Sequence, residues 1–410
     1  MSDERVPKGY KNTEVGVIPE DWETLKLKDI APLQRGFDLP TSQLKKGDYP
    51  VVYSNGVMSY HAEFMAKGPG VITGRSGTIG NVHYVLGNYW PHNTTLWVTS
   101  FINSYPKYVY YLYQSVKFER FGTGSGVPTL NRNDIHSLKI PLPPLPEQKA
   151  IATTLSNIDN LITALDKLIG KKRDIKAATM QQLLTGKKRL PGFGEGKGYK
   201  NSEVGVIPED WEAVTLGEYA EVTKLAGFEY TNYFNSYRDG GEIIVIRGVN
   251  ITQNVLNLEN VKTIPKATSS KLSRSQLKKD DLVFAYVGTI GPVYLIEQSD
   301  KYHLGPNTAR ITCKKEIVPK FLFLYFKSSF LQLEIDEKVS VGAQPSLSMA
   351  KIRSFRIIKP PLPEQKAIAT ILSNQDEEIT ALEKRLAKTK AIKQGMMQEL
   401  LTGKTRLINN

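Results

Sequence analysis

Short polar and basic side chains occur at corresponding turns in the two halves of the chain, and their types suit contacts with nucleic acid. Asparagine and glutamine can bond bidentately to adenine and arginine to guanine, whereas serine, threonine and lysine suit phosphates. The candidate DNA-contacting residues of the first half are Arg35, Ser54, Asn55, Arg75, Ser76, Thr78, His92, Asn93 and Ser125. Those of the second half are Lys224, Arg247, Asn250, Tyr286, Thr289, Asn307, Gln344 and Ser346. For any single residue, a structural role in its turn is at least as good an interpretation.

Glycine-rich turns establish the correspondence between the halves. The turn Gly77-Thr78-Ile79-Gly80 recurs as Gly288-Thr289-Ile290-Gly291, and glycine accepts the positive φ of a tight turn at little cost. The two residues before this turn differ, Arg75-Ser76 against Tyr286-Val287. Four further pairs of segments correspond in order: a basic residue before Gly36-Phe37 and before Gly227-Phe228, Tyr53–Gly56 with Arg247–Asn250, Pro91–Thr94 with Gly305–Thr308, and Ser125–Leu130 with Gly342–Leu347.

No catalytic motif is recognisable in the sequence. It lacks a P-loop, an Asn/Asp-Pro-Pro-aromatic methyltransferase motif and a Gly-x-Ser-x-Gly nucleophile elbow. The glycine-rich segments Gly122–Gly126 and Gly192–Gly196 do not clearly join a strand to a helix, so we predict loops there. The five histidines show no metal-ligand spacing: His61, His83, His92, His136 and His303. We predict a structural role for His83. We therefore predict no catalytic residue, no metal site and no cofactor in this chain.

The composition favours a polyanionic partner. The 410 residues include 54 Lys and Arg against 41 Asp and Glu, which gives a formal net charge of +13 and a pI of about 9.4. A merely basic soluble protein is the alternative. The single cysteine, Cys313, excludes a disulfide framework within the chain and fits a reducing compartment. We expect a cytoplasmic location, because neither a signal peptide nor a membrane-spanning apolar segment is recognisable.

Two segments of the chain occur twice. Gly9–Glu23 recurs as Gly198–Glu212 at an offset of 189 (198 − 9), and Pro143–Thr153 recurs as Pro360–Thr370 at an offset of 217 (360 − 143). The second repeat therefore has 28 additional residues between its shared segments. We predict an N-terminal arm (1–22), a globular domain (23–143), a central helix (144–190), a linker with the second arm (191–211), a second globular domain (212–360), and a distal helix with the C-terminal tail (361–410).

The globular segments have the composition of α+β domains. Strand-like segments are Val51–Tyr53, Ile243–Ile246 and Leu282–Tyr286, and turn residues separate them. Each domain also contains one helix candidate, Lys107–Lys117 and Lys320–Leu331.

The segments 147–185 and 364–402 are predicted to be long helices that begin after Pro-Leu-Pro and end at Leu-Leu-Thr-Gly. Each would be roughly 58 Å long at about 1.5 Å per residue. Their apolar residues have the 4-3 spacing of a coiled coil. The seam of the first helix consists of Ile151, Leu155, Ile158, Ile162, Leu165, Ile169 and Leu183. That of the second consists of Ile368, Leu372, Ile379, Leu382, Leu386, Met396 and Leu400.

Both seams contain polar positions, at Lys172, Lys176, Gln375, Thr389 and Lys393. Ile175 and Ile392 lie one position away from the seam, so we expect a local shift of the helical register there. An antiparallel pairing with full overlap would place Lys171-Lys172-Arg173 opposite Asp376-Glu377-Glu378, and Asp159 opposite Lys390. It would also place Asp166 opposite Glu383, which is unfavourable. Two solvated charge clusters without mutual contact are the alternative.

Four repeated motifs together resemble the specificity subunit of type I restriction-modification enzymes, over residues 9 to 407. They are Ile-Pro-Glu-Asp-Trp, Gly-Thr-Ile-Gly, Pro-Leu-Pro-Glu-Gln and Gln-x-Leu-Leu-Thr-Gly. In this order, the first copies are Ile18–Trp22, Gly77–Gly80, Pro144–Gln148 and Gln181–Gly186. The second copies are Ile207–Trp211, Gly288–Gly291, Pro361–Gln365 and Gln398–Gly403. The resemblance implies two target-recognition domains joined by two long helices in an antiparallel coiled coil, with an internal pseudo-twofold repeat.

The resemblance also implies a function and partners. Each domain would read one half of an asymmetric bipartite site in double-stranded DNA, and the coiled coil would set the spacer and dock two methyltransferase subunits. Those subunits would bring S-adenosylmethionine, and two restriction subunits, where present, would add ATP and Mg. This chain would have no catalytic site of its own. The alternatives are a coiled-coil adaptor that binds only protein, and a nuclease or methyltransferase with an unfamiliar site.

Overall fold

The computed structural model describes residues 6–123, 128–233, 240–340 and 345–408. The chain forms two compact units, each containing parts of both long helices. The first unit comprises residues 1–167 and 383–410, and the second comprises residues 168–382. Of the described helices, none is long and apolar enough to cross a membrane.

A four-stranded antiparallel sheet forms the centre of the first unit, in the order Leu33–Arg35, Thr95–Val98, Gly70–Gly74, Val82–Val85. A three-stranded sheet lies in the order Gly56–His61, Tyr49–Tyr53, Trp90–Pro91. The other strands are Tyr10–Thr13, Gly16–Pro19, Glu23–Lys26, Gly122–Thr123, Thr129–Leu130 and Lys139–Leu142. The short helices are Leu27–Ile30, Pro106–Ser115 and Arg132–His136, with 3-10 turns at Thr41–Gln43 and Phe118–Phe121.

The second unit has an equivalent four-stranded sheet, in the order Ala220–Lys224, Thr308–Cys313, Leu282–Ala285, Val293–Leu295. Its other large sheet has four strands, in the order Lys262–Ile264, Ile243–Ile246, Tyr302–Leu304, Gln276–Leu277. The remaining strands are Tyr199–Ser202, Gly205–Pro208, Glu212–Thr215, Ile251–Thr252, Val255–Leu256 and Arg356–Lys359. The helices are Leu216–Tyr219, Gly227–Tyr233, Lys266–Lys271, Pro319–Phe326, Ser329–Lys338 and Met349–Arg353, with 3-10 turns at Gly248–Asn250 and Ser273–Ser275.

The helix predicted at Lys320–Leu331 is interrupted. Pro319–Phe326 ends at Lys327, and a second helix, Ser329–Lys338, begins after Ser328. The Ser328 hydroxyl accepts a hydrogen bond from the backbone N–H of Leu331, so Ser328 caps the second helix. The apolar residues Phe321–Phe326 suggested one continuous helix, so the helix-capping role of Ser328 was not recognised from the sequence. Its counterpart in the first unit, Pro106–Ser115, is one helix close to the predicted bounds.

The two long helices span Leu145–Leu184 and Leu362–Leu400. They begin two residues earlier than predicted, because Pro146 and Pro363 lie in the first turn, where the missing N–H needs no partner. Gly186 and Gly403, just beyond the helix ends, have φ of +71° and +72°, which confirms their role in ending the helices. A Cβ at either glycine would approach the ring of Pro208 or Pro19 to within 2.6 or 2.5 Å.

The helices run antiparallel within each unit, as predicted. In the second unit Lys172 pairs with Glu378 at 2.6 Å, and Lys176 pairs with Asp376. In the first unit Asp159 pairs with Lys393 at 2.7 Å, three residues beyond the expected Lys390. Lys390 instead lies 3.8 Å from Asp166. Asp376 likewise pairs with Lys176, three residues beyond the expected Arg173, so the overlap is displaced by about one turn in both units.

The apolar seams are largely buried, but the predicted register shift is wrong. Ile151, Leu155, Leu165, Ile169, Leu183, Ile368, Leu372, Ile379 and Leu400 are buried, and Ile158, Ile162, Leu382, Leu386 and Met396 are half-buried. Ile175 and Ile392 remain 44% and 46% exposed, while the Lys176 and Lys393 side chains are only 12% and 19% exposed. A lysine can bury its methylene groups along the seam and still reach an aspartate, so the register is maintained.

An ion-pair cluster, which we call the arginine clasp, joins two of the repeated motifs in each unit to an arginine that follows the end of the other long helix. In the first unit Arg406 bonds to both oxygens of Asp21 at 2.8 Å and to both oxygens of Glu147 at 2.7 and 2.8 Å. Trp22 Nε1 donates to the same Glu147 carboxylate at 2.9 Å. The Glu147 side chain is 1% exposed, so the arginine compensates a buried charge.

The second unit contains an equivalent clasp. Arg189 bonds to Asp210 at 2.8 and 3.1 Å and to Glu364 at 2.6 and 2.7 Å. Trp211 Nε1 donates to Glu364 at 2.9 Å. Hydrogen bonds from Arg189 lower the pKa of Asp210 to about 2. The Ile-Pro-Glu-Asp-Trp arm, the start of one helix and the segment after the end of the other therefore meet at one point.

The glutamine next to each clasp glutamate attaches the helix start to the globular domain. Gln148 Oε1 accepts from the backbone N–H of Tyr105 at 2.8 Å, and Gln148 Nε2 donates to the carbonyls of Asn103 and Pro143. Gln365 makes the same contacts with Val318, Glu316 and Pro360. These bonds satisfy a buried side-chain amide and fix the helix start against the loop before the domain helix.

Candidate nucleic-acid interface

Thr94 is the point at which three turns of the first unit meet. Its carbonyl accepts hydrogen bonds from the backbone N–H groups of Arg75 and Ser76 at 2.8 and 3.2 Å. Its hydroxyl accepts from the backbone N–H of Ser54 at 3.3 Å and lies 3.0 Å from His92 Nδ1. The structure thus brings together seven of the predicted residues, which we call the first polar surface: Ser54, Asn55, Arg75, Ser76, Thr78, His92 and Asn93.

Arg35 reaches the edge of the first polar surface through Asp38, a residue that the sequence analysis missed. Asp38 lies 3.4 Å from Arg35 and accepts a hydrogen bond from the Asn93 side chain. Burial lowers the pKa of His92, although the nearby Asp38 charge opposes this effect. His92 is stacked on Tyr53, with ring centroids 4.2 Å apart. Aromatic stacking beside polar turns was not evident from the sequence, because Tyr53 belongs to a strand.

The two glycine turns have the backbone conformation that the sequence predicted. Gly77 and Gly288 have φ of +80° and +78°, and Gly80 and Gly291 have φ of +93° and +108°. In the first turn the Thr78 hydroxyl donates to Asn55, which ties the turn to the neighbouring loop. His83 Nε2 lies 3.1 Å from the carbonyl oxygen of Ser54, so His83 supports the loop from below.

A second polar surface forms at the equivalent strand ends of the second unit. The backbone N–H of Tyr286 donates to the carbonyl of Asn307 at 3.1 Å, and that of Gly288 donates to Pro345 at 3.1 Å. Val287 and Ser346 form an isolated β-bridge. Asn307 has φ of +65°, so its exposed side chain lies at the tip of a left-handed turn. We use the name second polar surface for Arg247, Tyr286, Thr289, Asn307 and Ser346.

Three of the predicted residues lie elsewhere or serve another purpose. Asn250 is 3% exposed, and its carboxamide oxygen accepts from the backbone N–H and Nε of Arg247, both at 3.2 Å, so it holds the 3-10 turn. Ser54 belongs to the first polar surface but is only 8% exposed, and its backbone groups contact the side chains of Thr94 and His83, so it serves mainly to hold its turn. Lys224 is exposed at the end of an edge strand, opposite Ala309. Ser125 and Gln344 lie outside the described residues.

Among the described residues, no group of three or more His, Cys, Asp or Glu side chains is placed to hold a metal ion. Cys313 is half-buried, and burial raises the pKa of its thiol to about 12. The polar surfaces consist instead of amide, hydroxyl and guanidinium groups on turns held by backbone bonds. Such groups can form hydrogen bonds with base edges and phosphates.

Comparison with known proteins identifies the family. The family model described as type I restriction modification DNA specificity domain matches residues 19–176 and 208–394. The MjaVIII type I restriction enzyme specificity subunit of Methanocaldococcus jannaschii is 32% identical over 310 residues, covering 73% of this chain and 71% of that protein. A protein of the same organism described as the MjaX specificity subunit is 28% identical and covers 97% of both chains.

The fold is similar to that of a solved type I restriction-modification S subunit from M. genitalium, with a TM-score of 0.62. The alignment covers 93% of this chain and 96% of that chain at 17% identity. The chain belongs to the type I restriction modification DNA specificity family. Within that family it is a specificity subunit with two target-recognition domains and two long antiparallel helices.

Proposed function

We propose that this chain reads a split DNA site as the specificity subunit of a type I restriction-modification complex. Residues 23–143 and 212–360 serve as its two target-recognition domains, and each reads one half-site. The observation that carries this proposal is the pair of polar surfaces, built at equivalent strand ends on similar backbone turns but with different side chains. Arg75 in the first corresponds to Tyr286 in the second, so the two half-sites differ in sequence.

Individual residues have distinct roles in this proposal. Arg75, Asn93, Arg247 and Asn307 are the side chains suited to bidentate base contacts. Arg35 and Lys224, at the edges, bind phosphates, as do the hydroxyl-bearing Ser76, Thr78, Thr289 and Ser346. His92 and Tyr286 offer stacking and hydrogen-bonding edges, and Asn55 fixes the glycine turn. Ser54 and Asn250 position the contacting turns. Ser125 and Gln344 remain predicted contacts.

The long helices set the spacer between the half-sites and dock two methyltransferase subunits. Leu168 and Ile175, seven residues apart on one face of the first long helix, are 38% and 44% exposed, and this apolar face of the second unit supports docking of protein. The chain itself performs no chemistry and holds no cofactor. S-adenosylmethionine belongs to the methyltransferase partner, which methylates adenine, and ATP and Mg belong to the motor-nuclease partner where one is present.

Single-molecule sequencing of DNA methylation tests the proposal. A host that co-expresses this chain and its methyltransferase should acquire methyladenine in both halves of a split sequence motif, and a host with the methyltransferase alone should not. Replacing residues 23–142 with those of another family member should change one half of the motif and leave the other unchanged. If the complex assembles without any new methylation, the chain is a protein adaptor and the proposal fails.

A further inference from the structure

The first unit contains an open groove between its N-terminal hairpin, the end of the helix Pro106–Ser115 and the second long helix. The cavity measures about 820 Å³. Its floor is apolar and includes the buried Ile18, Leu112, Ile140 and Leu401, with Val17 and Met397 more accessible above them. No residue of the first polar surface is among the described residues that line it.

The rim of this groove is basic. None of its described lining residues carries a carboxylate, and five of them are lysines: Lys117, Lys139, Lys390, Lys393 and Lys404. Lys139, Lys390 and Lys393 contact Glu14, Asp166 and Asp159 outside the groove. Within the described parts of the chain, Lys117 and Lys404 have no carboxylate at salt-bridge distance. An apolar floor with a basic rim fits an amphipathic ligand with negative charge.

The second unit has the same groove, but its own chain covers the floor. Met397, Gln398 and Leu401 correspond at the offset of 217 to Met180, Gln181 and Leu184, which line a cavity of only about 230 Å³. Phe330, from the helix Ser329–Lys338, lines this smaller cavity and packs against the core together with Met180. The helix is anchored by Leu331 and Ile335, which are 0% and 1% exposed.

The position of Phe330 is occupied by Lys117 in the first unit. Gly80 and Gly291 are equivalent residues of the two glycine turns. A Cβ on Gly80 would collide with the Glu119 side chain, and a Cβ on Gly291 would collide with that of Gln332. Glu119 and Gln332 therefore occupy equivalent positions. Two residues before each of these lie Lys117 and Phe330. After Lys117 the chain forms the 3-10 turn Phe118–Phe121 and continues as the strand Gly122–Thr123, so no counterpart of the covering helix is formed.

We propose that the groove of the first unit binds an acidic amphipathic helix of a partner protein. Its apolar face would cover the floor as Phe330 does in the second unit, and its carboxylates would face the lysines. The covering helix of the second unit shows that a helix with carboxylates fits this place, because it carries Glu334, Asp336 and Glu337 and buries Leu331 and Ile335. A DNA backbone fits less well, because the apolar floor would desolvate phosphates without replacing their hydrogen bonds.

A peptide with the sequence of residues 328–339 of this chain is the probe, labelled with fluorescein and held helical by a hydrocarbon staple. The staple keeps the cost of ordering the peptide from masking its binding. Fluorescence anisotropy with the full-length chain should show one saturable site that weakens as salt is added. A peptide with Glu334→Gln, Asp336→Asn and Glu337→Gln should bind about tenfold more weakly.

Two matched variants decide the assignment. Lys117→Phe places an aromatic ring at the groove of the first unit and should abolish binding, while Phe330→Lys leaves the helix anchored by Leu331 and Ile335 in place and should still give one site per chain. Thermal unfolding checks that both variants are folded. Equal binding to wild type and Lys117→Phe, loss of the site in folded Phe330→Lys, or no saturable binding would overturn the proposal. Displacement of the peptide by a DNA duplex would also overturn it, in favour of a phosphate-binding track.

Discussion

Arg406 and Asp21 are 385 positions apart in sequence and are joined side by side by two hydrogen bonds of 2.8 Å. The same guanidinium holds Glu147, at the start of the first long helix. In the second unit the equivalent Arg189 and Asp210 are only 21 positions apart. The two units therefore have the same clasp with different connectivity: the first closes with a segment that follows the whole second unit in sequence.

Removing the arginine should destabilise the first unit strongly. Arg406→Ala leaves the carboxylate of Glu147 buried without its cation, and such a loss costs about 3–5 kcal/mol of unfolding free energy. Urea denaturation measures it. Arg406→Lys should lose less than the alanine variant, and Lys404→Ala, two residues away in sequence, should be close to wild type. A loss in Arg406→Ala no greater than that in Lys404→Ala would contradict this role of the clasp.

The clasp of the second unit should make stability depend on acidity. Hydrogen bonds from Arg189 lower the pKa of Asp210 to about 2, from an ordinary value of 3.8. A lowered pKa in the folded state means that the stabilisation is complete above 3.8 and is lost as the pH falls toward 2.

Asp210→Asn should therefore be less stable than wild type at neutral pH, and the difference should shrink as the pH falls through that window. Denaturant titrations at a series of pH values measure this difference. The matched control is Asp174→Asn on the exposed face of the first long helix, which should show little difference at any pH. A constant gap between wild type and Asp210→Asn across the acid range would refute the assignment.

A polar position on the helix seam should be replaceable with a gain in stability. Gln375 is half-buried, its Oε1 has no hydrogen-bond partner among the described residues, and its Nε2 reaches Thr179 only at 3.5 Å. Gln375→Leu removes an unsatisfied buried group and adds apolar contact, so a gain of about 1 kcal/mol is expected. Chemical denaturation checks it against Gln182→Leu, an exposed site where no gain is expected. A net loss in Gln375→Leu would mean that the amide has a structural partner.

The two polar surfaces should be separable by mutation. Arg75→Ala should relax the sequence preference of the first half-site, by about 1–3 kcal/mol for one base pair, and leave the second unchanged. Asn307→Gly should do the same for the second half-site. Glycine is chosen there because φ is +65°, and it keeps the turn while removing the carboxamide. Competition binding with oligonucleotides altered at one base pair at a time measures both, and any variant that relaxes both halves together would argue against one domain per half-site.

Local signals made much of this fold predictable. The spacing of Ile151, Leu155 and Ile158 gave the helical seam, and Gly186 and Gly403 marked the helix ends. Exposure of Ile175 and burial of the Lys176 stem were not predictable, because a pattern of apolar residues cannot show that a lysine on the seam has an aspartate within reach. The clasp was not predictable either, since its members share no local spacing.

In the candidate site, too, local features could be predicted from the sequence and long-range contacts could not. Positive φ at Gly77 and Gly288 could be predicted from residue type, and so could the correspondence of the turns. Asn250 could not be told apart from Asn307, although one is buried and holds its own turn while the other is exposed at a tip. The meeting of three turns at Thr94 depends on which strands are neighbours in the sheet, and strand order is a long-range property.

The connectivity of the clasp has a consequence for how the protein matures on the ribosome. All of the second unit lies within residues 168–382, so its segments emerge in one uninterrupted stretch. The first unit is begun earlier but needs residues 383–410, including Arg406, before Glu147 and Asp21 gain their partner. Domains generally fold in order of synthesis. Here we expect that order to be reversed, with residues 1–167 waiting for residues 383–410, which are made after the whole second unit.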